Sequence, residues 1–261
     1  MSQGADIRVH LKTPGWEIAA PLTVPAEPVT LDAWLPFLQA LASRLSEMAR
    51  DASAAAGRPV SCAKGCGACC RQPVGITLVE ARALANLVAQ MPEPRQSEIR
   101  RRFAAGVAKL LESGVLTADH AAPIAGFPLA ETAQQRLGAA WFALQIACPF
   151  LENEACGIYQ DRPLICREHQ VTSPAAACAQ LFRTPVDRIE LPVRLADALM
   201  RAAAKLAGVS TNTVPLMFSL DLTPEIDEAL ARPHDPRQML ETLLGEIGEW
   251  RIEDVRPAEL S

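Results

Sequence analysis

The chain has 261 residues, 49% of them hydrophobic and 21% charged, which is the composition of a folding globular protein rather than a disordered or fibrous one. A formal net charge of -5 gives no overall attraction to phosphate and argues against nucleic-acid or anionic-membrane partners. Residues 1–10 carry Asp6 and Arg8 and lack the apolar run of a secretory leader, and the longest nearly uncharged apolar stretch, 139–151, falls short of the roughly 20 residues that span a bilayer. The expectation is a soluble, cytoplasmic protein with no membrane partner.

In chain order, Ile7, Val9 and Leu11 alternate ahead of Pro14-Gly15 and Trp16, which predicts a short hairpin followed by a proline-rich connection. From Leu31 to about Ala56, Trp34, Leu38, Leu41, Leu45 and Met48 recur at helical spacing, and Gly57 with Pro59 ends the helix. Thr77 and Glu80 read as a capping box that opens a helix to about Gln90, stopped by Met91-Pro92. Further helices are expected over 95–112, 129–147 and 192–207, with Gly114 and Gly208 as C-terminal stops. Arg100, Arg101 and Arg102 point in three directions on such a helix and so read as a solvated face. Thr223-Pro224 and Asp235-Pro236 each begin another helix. The fold class is therefore mainly α with a small β-hairpin, a cysteine-rich metal-binding core being flanked by helices. Three regions are expected: an N-terminal extension and helix over 1–57, a cysteine-cluster domain over 58–182, and a C-terminal helical region over 183–261.

The chemistry is concentrated in eight cysteines. Cys62, Cys66, Cys69 and Cys70 form a tight group among small residues, where Gly65 and Gly67 allow close turns around one centre. Cys148, Cys156, Cys166 and Cys178 form a looser one. Structural disulfides are rare in a reducing compartment, so metal ligation is preferred over disulfides, scattered core cysteines or a redox dithiol. Soft thiolates select zinc, copper(I) or iron-sulfur clusters, zinc or iron being the expected cofactor, and eight thiols suffice for two four-ligand centres. Adjacent side chains diverge, so Cys69 and Cys70 do not readily serve one mononuclear site. Cys148–Leu151 and Ala155–Ile158 predict a second small hairpin across Glu152–Glu154, and Asp161 is expected to cap a brief helix through Cys166. His169 is a possible nitrogen ligand, although hydrogen bonding beside Glu168 is the plainer role. Arg71, Arg162 and Arg167 flank the thiols and are candidates to offset thiolate charge around a cofactor. Arg162 has a structural alternative in a pair with Asp161 or Glu168, and Tyr159 is expected to pack with its hydroxyl bonded locally.

The run Cys62 to Cys70, with Cys148-Pro-Phe-Leu151, Cys156-Gly-Ile-Tyr159 and Arg162-Pro-Leu-Ile-Cys166-Arg167, resembles the YkgJ-type cysteine-cluster family, named for its CxxCxxCC motif and associated with zinc or iron chelation. The resemblance spans about residues 60–170. One departure is the Cys62-Ala-Lys-Gly-Cys66 spacing, with three intervening residues instead of two, which makes Cys62 a less secure ligand than the other three; Cys178 lies outside the motifs and is the first of the eight to be assigned to simple burial. The resemblance implies a metal ion as partner. It also points distantly to flagellin lysine N-methylases, but no glycine-rich nucleotide loop is present to carry that activity over. An enzyme modifying a protein or small substrate, and a zinc or iron carrier or store serving a client protein, are the rival readings; neither catalytic residues nor enzyme status are legible.

Overall fold

The computed structural model describes residues 4–13, 15–63, 65–116, 131–211 and 213–254. Strands β1 (Ala5–Thr13) and β2 (Trp16–Val24) pair antiparallel, from Ala5 opposite Val24 to Thr13 opposite Trp16. Alternation along β1 turns Ile7, Val9 and Leu11 onto one buried face. Gly15 in the intervening turn has φ 81°, a left-handed conformation in which a Cβ is costly. The predicted hairpin is thus present, and it is part of something larger. Strand β7 (Glu249–Asp254) adds to the other edge of β1, pairing from Ile7 opposite Asp254 to Lys12 opposite Glu249, so that the sheet order is β2-β1-β7. Only Ile252 of β7 is even half-buried, and the strand's apolar alternation is confined to Trp250 and Ile252, too short a run to predict a strand.

Helix α1 (Leu35–Ala55), entered through a 3-10 turn at Leu31–Trp34, buries Leu38, Leu41 and Leu45, and Gly57 with φ 75° follows its end. Helix α2 (Leu78–Gln90) opens with the predicted capping box: Thr77 Oγ1 accepts from the Glu80 amide at 3.2 Å, and Glu80 Oε2 accepts from the Thr77 amide at 3.0 Å. Helix α3 (Arg95–Glu112) seats Ile99, Phe103 and Leu110 in the core, with Phe103 edge-to-face on Phe150 at 5.4 Å. On this helix Arg102 is not simply solvated: it donates to Pro149 O at 3.2 Å and pairs with Glu98 and Glu152.

Helix α4 (Glu131–Ala143) ends short of the predicted 147. Leu144 and Gln145 amides close back onto Trp141 and Phe142 carbonyls, and Gln145 then turns away with φ 50°. The predicted start at 129 lies outside the described residues. Helices α7 (Leu195–Ala207), α8 (Pro224–Ala231) and α9 (Pro236–Gly245) follow, with Gly208 at φ 67° stopping α7 and Asp235 accepting from the Gln238 amide at 2.8 Å to cap α9. The apolar faces of β1, α1, α2, α3, α7 and α9 meet in one continuous core, and the molecule is mainly α with small antiparallel sheets, as the sequence predicts.

The cysteine-bearing segments lie on this body as short elements. Strands β3 (Gly75–Ile76) and β6 (Val214–Pro215) pair after the first cysteine group; β4 (Leu151–Glu152) and β5 (Ala155–Cys156) form the predicted second hairpin; α5 (Leu164–Glu168) and α6 (Ala175–Cys178) carry the last two cysteines. The β4-β5 loop is only Asn153-Glu154, at φ 48° and 59°, a pair of left-handed residues whose twist suits a two-residue hairpin.

Candidate metal centre

Each cysteine segment is placed by a small number of backbone and ionic contacts. Ser61 donates its amide to Val171 O at 2.9 Å, and the Val171 amide donates in turn to Cys62 Sγ at 3.4 Å. Gly65, at φ 88°, lets the chain reverse before Cys66, and Cys69 and Cys70 sit in a 3-10 turn (Ala68–Arg71) in which the Cys70 amide bonds Gly67 O at 3.0 Å. Gly67 lies hard against the β4-β5 turn: a Cβ there would come within 2.6 Å of Glu154 Oε2 and 2.8 Å of Leu151 Cδ1. Arg71 spans the same junction, donating to Gly67 O at 3.0 Å and pairing with Glu154 at 2.5 Å. The Cys148 amide donates to Cys70 O at 2.7 Å, so the two cysteine groups, distant in sequence, are joined through their backbones.

The hairpin is tied to the body through Glu152, which Arg95 and Arg102 of α3 both grip. Cys166 is placed by α5, and here the structure corrects the expected cap. Asp161 makes no cap; Pro163 occupies that position, and the amide of Leu164 donates to Glu80 Oε1 at 2.6 Å. One buried carboxylate therefore closes α2 through the capping box and α5 through its other oxygen. In the same way Glu168, at the end of α5, accepts from the Leu195 amide at 2.6 Å and opens α7. Both carboxyls are raised by burial, Glu168 to about 7. Arg167 is a framework residue, donating to Arg162 O at 3.0 Å, Ser43 Oγ at 3.1 Å and Gln160 O, which ties α5 to α1.

Together these elements enclose a cavity of about 570 Å³ lined by Cys66, Cys69, Cys70, Cys148, Cys156 and Cys166. Cys62 and Cys178 are outside its lining, yet both thiols feel Cys66 and Cys69, and Cys178 also feels Cys62. Cys178 is buried, at 5% exposure, on the short α6, whose contacts include the turn that carries Cys69. On the other side, Cys148 feels Cys156, Cys166 feels both Cys148 and Cys156, and all three feel Cys69. The thiols consequently form two neighbourhoods that meet at Cys69.

Without a metal, Cys62, Cys69, Cys148, Cys156, Cys166 and Cys178 are held neutral. Burial raises Cys148 to about 12 and lifts Cys62, Cys156, Cys166 and Cys178 above the ordinary thiol range; Cys69 is lifted most by its hydrogen bond with Cys70, then by burial. Arg162 is the guanidinium that pulls against this at Cys69 and Cys156. It makes no ion pair with Asp161 or Glu168; it stacks instead on the half-exposed ring of Tyr159, 4.1 Å from the centroid, with its Nε buried and unbonded. Tyr159 is thus a platform for Arg162 rather than a packed core residue. His169 lines the cavity with its Nε2 buried and without a partner; burial, then Arg188 and Arg194, depress the imidazole to about 4.

The donor set, several thiols and an unpartnered imidazole nitrogen around one cavity, is chemically suited to zinc or iron. Among the described residues no three His, Cys, Asp or Glu side chains already stand as a closed ligand group. Chelation therefore requires the thiols to change rotamer toward one another, for which the cavity leaves room. Sequence reasoning missed Glu80 and Glu168 as the carboxylates that position α5 and α7, and Arg188 and Arg194 as cavity residues, because each acts across large separations in the chain. Among the described residues no helix is long and apolar enough to cross a membrane. No curated protein and no solved structure matches the chain. The model of the CxxCxxCC family, described as "Putative zinc- or iron-chelating domain", matches residues 61–181, the cysteine-bearing segment.

Proposed function

We propose that the segment 58–182, carried by the flanking regions 1–57 and 183–261, chelates zinc or iron at two adjoining thiolate positions. Cys148, Cys156 and Cys166 with Cys70 supply one; Cys62, Cys66 and Cys178 with Cys69 supply the other. The observation that carries this reading is the single cavity into which both cysteine groups converge, with the remaining two thiols coupled to its edge at Cys69. The divergence of adjacent side chains fits one member of the Cys69-Cys70 pair to each position. Arg162 offsets thiolate charge from within the cavity, whereas Arg71 and Arg167 act by holding the loop and α5 in place. Bound zinc would crosslink the segments; bound iron, alone or with sulfide, would add redox chemistry. Anaerobic purification with metal and acid-labile sulfide analysis and a visible spectrum tests this. About two metals per chain, colourless for zinc or coloured for iron-sulfur, is the expected outcome; a metal-free chain with eight titratable thiols under anaerobic conditions sinks it.

A second reading, an enzyme working at such a centre, is favoured by the cavity's size, since it extends beyond the thiols to walls formed by Val74, Phe150, Ile158 and Leu216. An exchangeable ligand position on the metal would support it.

A further inference from the structure

The cavity is lopsided in charge. Its described lining contains Arg162, Arg188 and Arg194 and no carboxylate. Among the described residues Arg162 and Arg188 make no ion pair, and Arg194 reaches only Asp197, at a loose 3.8 Å in solvent. Arg188 is not on a free loop: its segment pairs with Val171, with the Thr172 amide bonding Asp187 O at 2.9 Å and the Ile189 amide bonding Gln170 O at 3.0 Å. Arg194 directly precedes α7, whose first amide Glu168 holds. Both guanidiniums act on His169, the residue whose buried Nε2 lacks a partner. Two cations on anchored backbone and an unsatisfied imidazole nitrogen thus act on one another in the cavity, whose lining also includes apolar Val74, Ile165 and Leu216.

We propose that the cavity binds a small organic carboxylate, its anionic group held by Arg188 and Arg194 and its apolar body lying against Val74, Ile165 and Leu216. Guanidinium forks match a carboxylate in geometry and charge, and no carboxylate in the described cavity lining competes for this pair. The opposing role, that of balancing the charge of metal thiolates, suits Arg162, which acts on Cys69 and Cys156; Arg188 acts on Cys178, outside the cavity lining. The site does not depend on a bound metal, and so stands or falls separately from chelation.

The test is calorimetric titration of the full-length protein, its metal content measured beforehand, with hexanoate and with hexanamide, a neutral analogue of similar shape, at constant ionic strength. Hexanoate should bind one to one and at least about tenfold more tightly than hexanamide, and Arg188→Gln and Arg194→Gln should each weaken hexanoate by about tenfold. Both arginines are exposed, so these variants should fold, and metal content should not change. Arg183→Gln, an exposed arginine outside the cavity lining, should bind hexanoate as the parent does. Equal affinity for acid and amide, or undiminished hexanoate binding by the Arg188→Gln/Arg194→Gln double variant, overturns the proposal. So does a loss of metal in the arginine variants with hexanoate binding intact, which would reduce these arginines to thiolate counter-ions. Inorganic phosphate binding as tightly as hexanoate would overturn the assignment to an organic acid.

Discussion

The helical body and the cysteine segments are held together by different forces. In the body, Leu38, Leu199, Met239 and Leu240 are fully buried, and α1, α2, α3, α7 and α9 share one apolar core, so that the hydrophobic effect alone supplies a large stabilisation. In the segments around residues 61–72 and 148–166, order rests on a 3-10 turn, two-residue strands, a few backbone hydrogen bonds and the Arg71, Arg95 and Arg102 contacts with glutamates. Half-buried thiols, Cys62, Cys69, Cys70, Cys148, Cys156 and Cys166, stand where a core would have leucines. The contrast teaches that these segments lack the apolar burial that completes the body, and are where the proposed ligand bonds would add most order.

The sharpest way to break that contrast is to remove the thiol at which both neighbourhoods meet. Cys69→Ser should lower metal content by more than Cys178→Ser does, because Cys69 is felt by Cys62 and Cys178 on one side and by Cys148, Cys156 and Cys166 on the other. Cys70→Ser should also reduce it. Elemental analysis of the purified variants reads this directly, and unchanged stoichiometry in both Cys69→Ser and Cys70→Ser would make the vicinal pair merely structural. A second measurement compares the regions themselves. After treatment with a strong chelator, hydrogen exchange should accelerate by orders of magnitude over residues 60–75 and 148–170 while α1, α7 and α9 keep their protection. Equal change in both regions would mean that the segments draw on the common core after all.

Much of the body was legible because its forces are local in sequence. The Thr77-Glu80 box, the helix-spaced leucines of α1, Gly208 and the Asp235-Pro236 start each declare themselves within a few residues. The cysteine spacings likewise marked the segments that line the cavity, and Gly65 and Gly67 their turns. What stayed hidden was non-local. Strand β7 has only Trp250 and Ile252 in alternation and is completed by the edge that β1 offers it. The cap of α5 comes from Glu80, 84 residues away, so Asp161 was the nearest plausible acceptor and the wrong one. Arg188 and Arg194 lie beyond the cysteine motifs, and only the pairing at Val171 and the docking of α7 bring them to the cavity.

That cross-element cap links the two regions and can be weighed. Glu80→Ala removes the acceptor for the Thr77 and Leu164 amides at once, and should destabilise the protein by about 2–4 kcal/mol in urea unfolding, an effect felt by body and segments together. Glu80→Gln keeps one carbonyl oxygen and should cost less. Because α5 carries Cys166, metal affinity should fall in Glu80→Ala even under conditions where the chain remains folded.

The neutral thiols predict how chelation responds to pH. Burial holds Cys148 and Cys166 protonated at neutral pH, so a metal must expel their protons, and each metal bound near pH 7 should release more than one. Affinity should therefore rise steadily between about pH 6 and 8, with proton release read from calorimetry in two buffers of different ionisation enthalpy. A pH-independent affinity would mean that the thiols were already ionised, contrary to the buried, desolvated setting that distinguishes this region.

The smallest effect should come from the ionic clasp over the first turn. Arg71 donates to Gly67 O and pairs with Glu154, whose side chain is in solvent, so global stability should barely change in Arg71→Ala. The clasp nevertheless fixes the close approach between the Cys69-Cys70 turn and the β4-β5 hairpin, and its loss should speed metal release to a competing chelator several-fold by widening local opening. Raising salt to 1 M should have a similar but weaker effect on the parent protein, since screening reaches an exposed pair. Acid should do the same: Arg71 holds the Glu154 carboxyl below its usual 4.5, so the pair persists above that value and is lost as pH falls through the lowered one. If Arg71→Ala released metal at the parent's rate while Glu152→Ala released it faster, the hairpin's grip on α3, and not the clasp on the first cysteine turn, would be what keeps the two cysteine groups together.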